Sequence, residues 1–109
     1  MARDRSAPAG NTSMLVLALL KGREMYGYEI IEELERRSER MFRLKEGTLY
    51  PILHTLEKEK LVTAREAQTP AGRTRRYYRV TAAGLRALED REREWNAYSR
   101  AVTAILSGT

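Results

Sequence analysis

Apolar residues recur at helical spacing in four stretches of the chain and at strand spacing in one. The run MLVLALLKG, Met14 to Gly22, is apolar at nearly every position. It predicts a helix buried on most sides, capped by Thr12 or Ser13 and stopped at Gly22. Next, Ile30, Ile31 and Leu34 fall at i, i+1 and i+4, while Glu29, Glu32, Glu33, Glu35, Arg36 and Arg37 supply a solvated face with i,i+4 ion pairs. Gly27, just ahead of that helix, suits a close approach to a neighbour or a turn. A third helix is predicted within EGTLYPILHTLEKEKLV, Glu46 to Val62, where Leu49, Ile52, Leu53 and Leu56 form one narrow core-facing stripe. Its opposite face carries Pro51, His54, Thr55 and Lys58, flanked by Thr48 and Tyr50. Proline is tolerated in a first helical turn, where backbone N–H groups lack partners, so Pro51 predicts a start close to Gly47 or Thr48.

The period then changes. VTAREA (62–67) alternates weakly, QTPAGRT (68–74) has the Pro and Gly of a loop, and RRYYRVT (75–81) is rich in strand formers, which together predict a β-hairpin. Tyr78 and Val80 share the inward face; Arg75, Tyr77 and Arg79 share the other. Thr81 caps a last helix, AAGLRALEDREREWNAYSRAVTAIL, about 37 Å long at 1.5 Å per residue and longer than a small core needs. Its seam of Leu85, Leu88, Trp95, Tyr98, Val102, Ile105 and Leu106, interrupted by Arg91 and Glu92, suits packing on another chain.

At 109 residues the chain is one domain with one modest core. Residues 1–11, MARDRSAPAGN, lack periodicity and read as a flexible arm. A formal charge of +5 favours an anionic partner such as nucleic acid or an acidic membrane face. No cysteine and one histidine leave no basis for a metal site, and no cofactor is expected. Catalysis needs clustered acids, bases or nucleophiles, whereas the carboxylates here are interleaved with Lys and Arg as helix surface pairs. The chain is therefore not expected to be an enzyme. Arg3 and Arg5 before the apolar run outline a secretory signal, but Asp4 interrupts the basic part, and Lys21 and Arg23 stand where a cleavage site would be. No apolar run reaches the ~20 residues of a membrane span. A soluble, cytoplasmic protein is expected.

Three helices followed by a hairpin whose loop carries arginines is the order of a winged helix-turn-helix, a mainly α (α+β) architecture whose third helix enters the major groove. Small or uncharged residues at the front of that helix permit approach to phosphates and bases, while its free N–H groups and dipole attract phosphate. Gly47 and Thr48 allow contact, Tyr50 and Pro51 offer an oxygen donor and an apolar face, and His54 and Lys58 follow on the same face. Packing of Tyr50 under the neighbouring helix and simple solvation of His54 are the alternative roles. Arg73, Arg75 and Arg76 concentrate positive charge on the wing beside it.

YGYEI (26–30), EGTLYPILHTLEKEKLV (46–62), GRTRRYYRVTAAG (72–84) and the closing helix resemble the PadR family of bacterial transcriptional regulators, over about residues 13–106. The chain is most similar to the short-tailed branch, which has a single C-terminal helix. Where that family commonly places glycine at the end of the recognition helix, this chain has Lys60, so the helix stops on a left-handed lysine, at a cost of ~1 kcal/mol, or on a different turn. The resemblance implies a DNA-binding domain over 12–81 and a dimerisation helix over 82–109. It further implies a two-fold homodimer formed by the first and last helices, a palindromic double-stranded DNA operator, and repression released by a small aromatic effector. Trp95 falls where multidrug-sensing relatives carry a tryptophan that stacks on flat ligands; interface packing alone also accounts for it. The competing function is a winged helix that binds protein and not DNA. The salt dependence of duplex binding discriminates the two.

Overall fold

The computed structural model describes residues 9–108. The elements in order are α1 (Ala9–Gly22), β1 (Met25–Tyr26), α2 (Gly27–Arg37), α3 (Glu46–Lys58), β2 (Val62–Gln68), β3 (Thr74–Val80) and α4 (Ala82–Leu106).

Helix α1 is the centre of the core: Val16 and Leu17 are fully buried, and Met14, Leu19 and Leu20 nearly so. It begins at Ala9, earlier than a Thr12 or Ser13 cap would place it, and Thr12 lies inside it, buried with the core-facing side chains. Tertiary burial of that face outweighs the weak helix propensity of Gly10 and Asn11. The first eight residues of the expected arm lie outside the described part; its last three are helical.

In α2, Ile30 and Leu34 face the core, and Glu33 bridges Arg36 at 2.6 Å and Arg37 at 3.6 Å on the solvated side. The segment from α2 to α3 turns through two non-glycine residues of positive φ, Glu39 (51°) and Arg40 (68°). Each costs ~1–2 kcal/mol in isolation. The turn is held by Arg40 N–H donating to Glu35 O at 2.8 Å, Phe42 N–H donating to Ser38 Oγ at 3.0 Å, and burial of Leu44 beyond it.

Helix α3 buries Leu49, Leu53 and Leu56, the predicted stripe. It starts at Glu46 after Lys45 in extended conformation, so Pro51 sits in the second turn, not the first. There it leaves Gly47 O without its usual i+4 donor, and the exposure of Gly47 and Pro51 lets solvent satisfy that carbonyl. The helix ends on Lys60 at φ 63°, with Lys60 N–H donating to Glu57 O at 3.0 Å and Leu61 N–H to Leu56 O at 2.9 Å. This is a Schellman stop made with lysine in the place that favours glycine.

The wing hairpin pairs Val62 with Val80 through Gln68 with Thr74. The two-residue β1 adds a third strand on its other side, Met25 opposite Tyr78 and Tyr26 opposite Tyr77, giving the sheet order β1-β3-β2. Tyr78 is buried, Val80 partly so. At α4, Thr81 Oγ1 accepts from Gly84 N–H at 3.0 Å, the expected cap. The same hydroxyl donates to Lys60 O at 2.8 Å, and Thr81 N–H donates to Leu61 O at 3.0 Å, tying the start of α4 to the end of α3. Only Gly84 and Leu88 of α4 are buried, and the molecule is accordingly elongated, 58 Å in its longest dimension. Among the described residues no helix is long and apolar enough to cross a membrane.

Candidate nucleic-acid interface

The front of α3 is open. Gly47 is exposed, with space around it for a Cβ; Pro51, His54 and Lys58 are exposed further along, and Thr48 is half-buried. The Lys45 side chain makes no capping hydrogen bond, and the positive end of the helix dipole lies at this end. Glu46 in that first turn offsets part of the field.

Tyr50 does two things at once. Its ring packs over Gly27 so closely that a Cβ there would stand 2.7 Å from the hydroxyl, yet the residue is 45% exposed. Gly27 is thus a close-approach glycine. Burial, then the Glu46 carboxylate and Tyr78, hold the phenol above its ordinary value, so at neutral pH it remains a neutral hydrogen-bond donor.

Between α3 and the wing lies a cleft of about 450 Å³, lined by Tyr26, Gly27, Tyr50, His54, Glu57, Thr74, Arg75, Arg76 and Tyr78. Helix and wing therefore present one continuous surface. The three wing arginines, alike in the sequence, occupy three different situations. Arg73 is exposed in the loop, at the turn where Thr69 N–H donates to Arg73 O at 2.8 Å, and its side chain has no ionic partner among the described residues. Arg75 lies half-buried on the outer face, its guanidinium 4.3 Å from the Tyr26 ring centroid. Tyr26 in turn meets Tyr77 edge-to-face at 5.5 Å, and Arg65 covers Tyr77 at 5.1 Å. That ladder of rings and cations stiffens the wing. Arg76 points to the helix side and forms ion pairs with Glu57 of α3 at 2.5 Å and Glu66 of β2 at 3.8 Å. The sequence reading missed Glu57 and Glu66 as its partners, and Tyr26 as the platform under Arg75. The signal for Glu57 was its position three residues after His54, on the exposed face of the same helix.

The seam of α4 divides. Leu88 turns into the chain's own core at 2% exposed, because the apolar stripe at the helix start has to cover α1. The rest is open: Trp95 and Tyr98 lie 6.0 Å apart between ring centroids at a 33° tilt, and Ile105 and Leu106 are about four-fifths exposed. An uncovered strip of large apolar side chains on a projecting helix is a surface for another molecule. Trp95 lies on it, well away from the helix–wing cleft. One turn before it, Arg91 Nη1 is shielded from solvent with no hydrogen-bond partner among the described residues.

What this arrangement can do is bind a polyanion of fixed groove geometry, through an exposed helix face flanked by a stiff cationic hairpin. Among the described residues no His, Asp or Glu cluster is arranged to hold a metal ion. The Transcriptional regulator PadR-like family matches residues 16–90. The transcriptional regulator Rv3488 of Mycobacterium tuberculosis is 39% identical over 86 residues, covering 79% of this chain and 77% of its own. Among solved structures, a PadR-like transcriptional regulator of Bacillus cereus superposes with TM-score 0.79 at 31% identity, over 93% of this chain and 96% of its own. A transcriptional regulator of Clostridium thermocellum gives 0.81 at 26% identity, over 87% and 92%.

Proposed function

The chain belongs to the PadR-like family of transcriptional regulators, and from that premise we propose that it is a homodimeric repressor of the bacterial cytoplasm, released from a palindromic operator by a small aromatic ligand. The family's members are transcriptional regulators, not enzymes. The observation that carries the DNA reading is the continuous face of α3 and wing, where Tyr50 and His54 stand with Arg75 and Arg76, together with an exposed Arg73 that has no ionic partner among the described residues. In this reading Gly47, Thr48, Tyr50 and Pro51 enter the major groove, His54 and Lys58 follow on the same face, and Arg73 and Arg75 reach the adjacent backbone. Arg76 serves the same surface through its ion pairs.

Two copies joined by their α4 helices place two such faces on one frame, as a palindrome requires. The exposed Trp95, Tyr98, Ile105 and Leu106 supply the apolar area for that joint. A ligand stacking on Trp95 that favours a different helix spacing weakens operator binding by the same factor as operator weakens ligand binding.

The test has three arms. Light scattering at ~50 µM gives the mass of a dimer, since a stable interface buries over ~1,000 Å²; a monomer refutes the dimer. Duplex affinity falls linearly with salt on logarithmic axes; absence of that slope refutes the DNA reading. The single tryptophan reports ligand entry by its fluorescence. Quenching by planar aromatic compounds that is lost in Trp95→Ala, with the dimer intact, supports the effector, and unchanged emission across a broad panel leaves Trp95 as packing.

A further inference from the structure

Within the DNA-binding reading above, on which this rests, we infer that Glu57 is a positioning residue that tunes the electrostatic affinity of this face: it holds Arg76 of the wing in an ion pair and withholds that positive charge from sequence-independent phosphate binding.

Glu57 lies on the exposed face of α3 with His54 and Lys58, and these three with Arg76 line one shallow depression between helix and wing. A carboxylate there faces the same polyanion that its neighbours attract. In isolation that is a defect in a phosphate-binding surface. The structure pairs it: Arg76 Nη2 stands 2.5 Å from Glu57 Oε2, linking recognition helix to wing across 19 residues of sequence. Both side chains remain partly solvated, at 45% and 34%, so the pair can exchange with solvent or a ligand.

A duplex arriving at this face meets one of two states. If Arg76 stays on Glu57, with Glu66 at 3.8 Å as its weaker second partner, its charge is neutralised and it releases no counterion from the DNA. If Arg76 leaves for a phosphate, Glu57 is left as an unpaired negative charge beside the backbone. Either state removes close to one phosphate contact per subunit from the electrostatic affinity that every sequence shares. Base contacts from the front of α3 are untouched, because they are made two turns away. A term shared by every sequence cancels from the ratio of specific to non-specific binding, so Glu57 sets the overall affinity for duplex and its salt dependence and leaves the sequence preference to the base contacts. Glu57 acts through Arg76 and through charge, and is a positioning residue in that sense.

The experiment titrates a fluorescent mixed-sequence duplex of ~30 bp, long enough for two half-sites one turn apart, against the full-length protein over a salt series. The proteins are the parent chain, Glu57→Gln, Glu57→Ala, Arg76→Gln, the double variant Glu57→Gln/Arg76→Gln, and Arg73→Gln. One freed phosphate contact steepens the logarithmic salt slope by ~0.9 and is worth up to roughly tenfold in affinity at ~0.1 M salt. Glu57→Gln and Glu57→Ala are expected to tighten binding by up to that factor per subunit and to steepen the slope, and the added Arg76→Gln to cancel the gain. Arg76→Gln alone is expected to flatten the slope less than Arg73→Gln does. A parent slope that Arg73→Gln flattens but both Glu57 variants leave unchanged overturns the role of Glu57 and leaves DNA binding standing. A parent chain with no salt-dependent binding overturns both. A merely structural role for Glu57 moves the melting temperature, not the salt slope.

Discussion

Adding one methyl group at Gly84 is expected to damage this fold more than most changes of its size. A Cβ built there stands 2.1 Å from Leu61 O and 2.7 Å from Val80 Cγ2, where an ordinary contact begins at 3.4 Å. The carbonyl must retreat by about 1.3 Å to restore such a contact. It cannot do so freely, because it accepts from Thr81 N–H at 3.0 Å and from Thr81 Oγ1 at 3.1 Å. Overpacking costs ~1–3 kcal/mol, and each strained or broken hydrogen bond about 1 more. The better helix propensity of alanine returns no more than ~1 kcal/mol. The net expectation for Gly84→Ala is a loss of ~2–4 kcal/mol, read as a fall in melting temperature of roughly 10–30 °C at fixed protein concentration. Gly47→Ala is the internal control: with nothing within 4 Å of its Cβ, the same chemical change is expected to stabilise α3 by ~0.5–1 kcal/mol. Equal melting temperatures for parent and Gly84→Ala would refute the close approach of α4 to Leu61, whatever Gly47→Ala does.

Lys60→Gly is expected to raise stability by ~1 kcal/mol in urea unfolding, because φ 63° costs a lysine what it does not cost a glycine; no gain would mean the lysine side chain contributes there. The Arg65 hydrogen bond holds the Glu24 carboxyl below its ordinary value near 4.5, and the Arg36 hydrogen bond does the same for Glu33. Depressed carboxyl values stabilise the fold above the unfolded value, and that contribution is lost as pH falls through the folded value, so unfolding should ease below about pH 4.5. Acid titration of Glu24→Gln and Glu33→Gln checks this, each variant showing a shallower loss than the parent. Finally, a double-mutant cycle on Tyr26→Leu and Arg75→Gln is expected to give a coupling of ~0.5–1 kcal/mol from the guanidinium over the ring, and zero coupling would remove the wing's stiffening element.

How far the sequence carried the fold differs by element, for physical reasons. Helix α4 was legible to both ends, because a threonine cap precedes it and its apolar positions, though interrupted by Arg91 and Glu92, resume at helical spacing as far as Leu106. The start of α3 was not: Lys45 is no capping residue, and Pro51 pointed to a first turn when it occupies a second whose carbonyl opposite is solvated. Strand β1 has only two residues, too few for alternation to register, and exists because β3 offers it an open edge. Leu88 was read into the intersubunit seam because core and seam share a stripe, and only the path of α1 tells where one ends. On the candidate site, the sequence supplied the residues but not their allocation. Arg73, Arg75 and Arg76 look equivalent in a string of letters; strand alternation puts Arg75 and Arg76 on opposite faces, and only folding brings Glu57 to Arg76.

The same folding makes one joint out of three functional parts. Thr81 donates through its hydroxyl to Lys60 O and through its N–H to Leu61 O, while its hydroxyl accepts from Gly84. Val62 pairs with Val80 beside it. The end of α3, the base of the wing and the start of α4 thus meet within a few residues, with only Glu59–Leu61 between α3 and β2 and only Thr81 between β3 and α4. A connection that short and that fully hydrogen-bonded leaves little backbone freedom to absorb a change of tilt. Trp95 lies 14 residues along α4 from Thr81, about 21 Å at 1.5 Å per residue. A rotation of α4 about the joint is therefore small at α3 and large at the tryptophan. That leverage runs both ways: the orientation of α3 and wing follows how α4 is held, and the far half of α4 moves most when α3 is held instead.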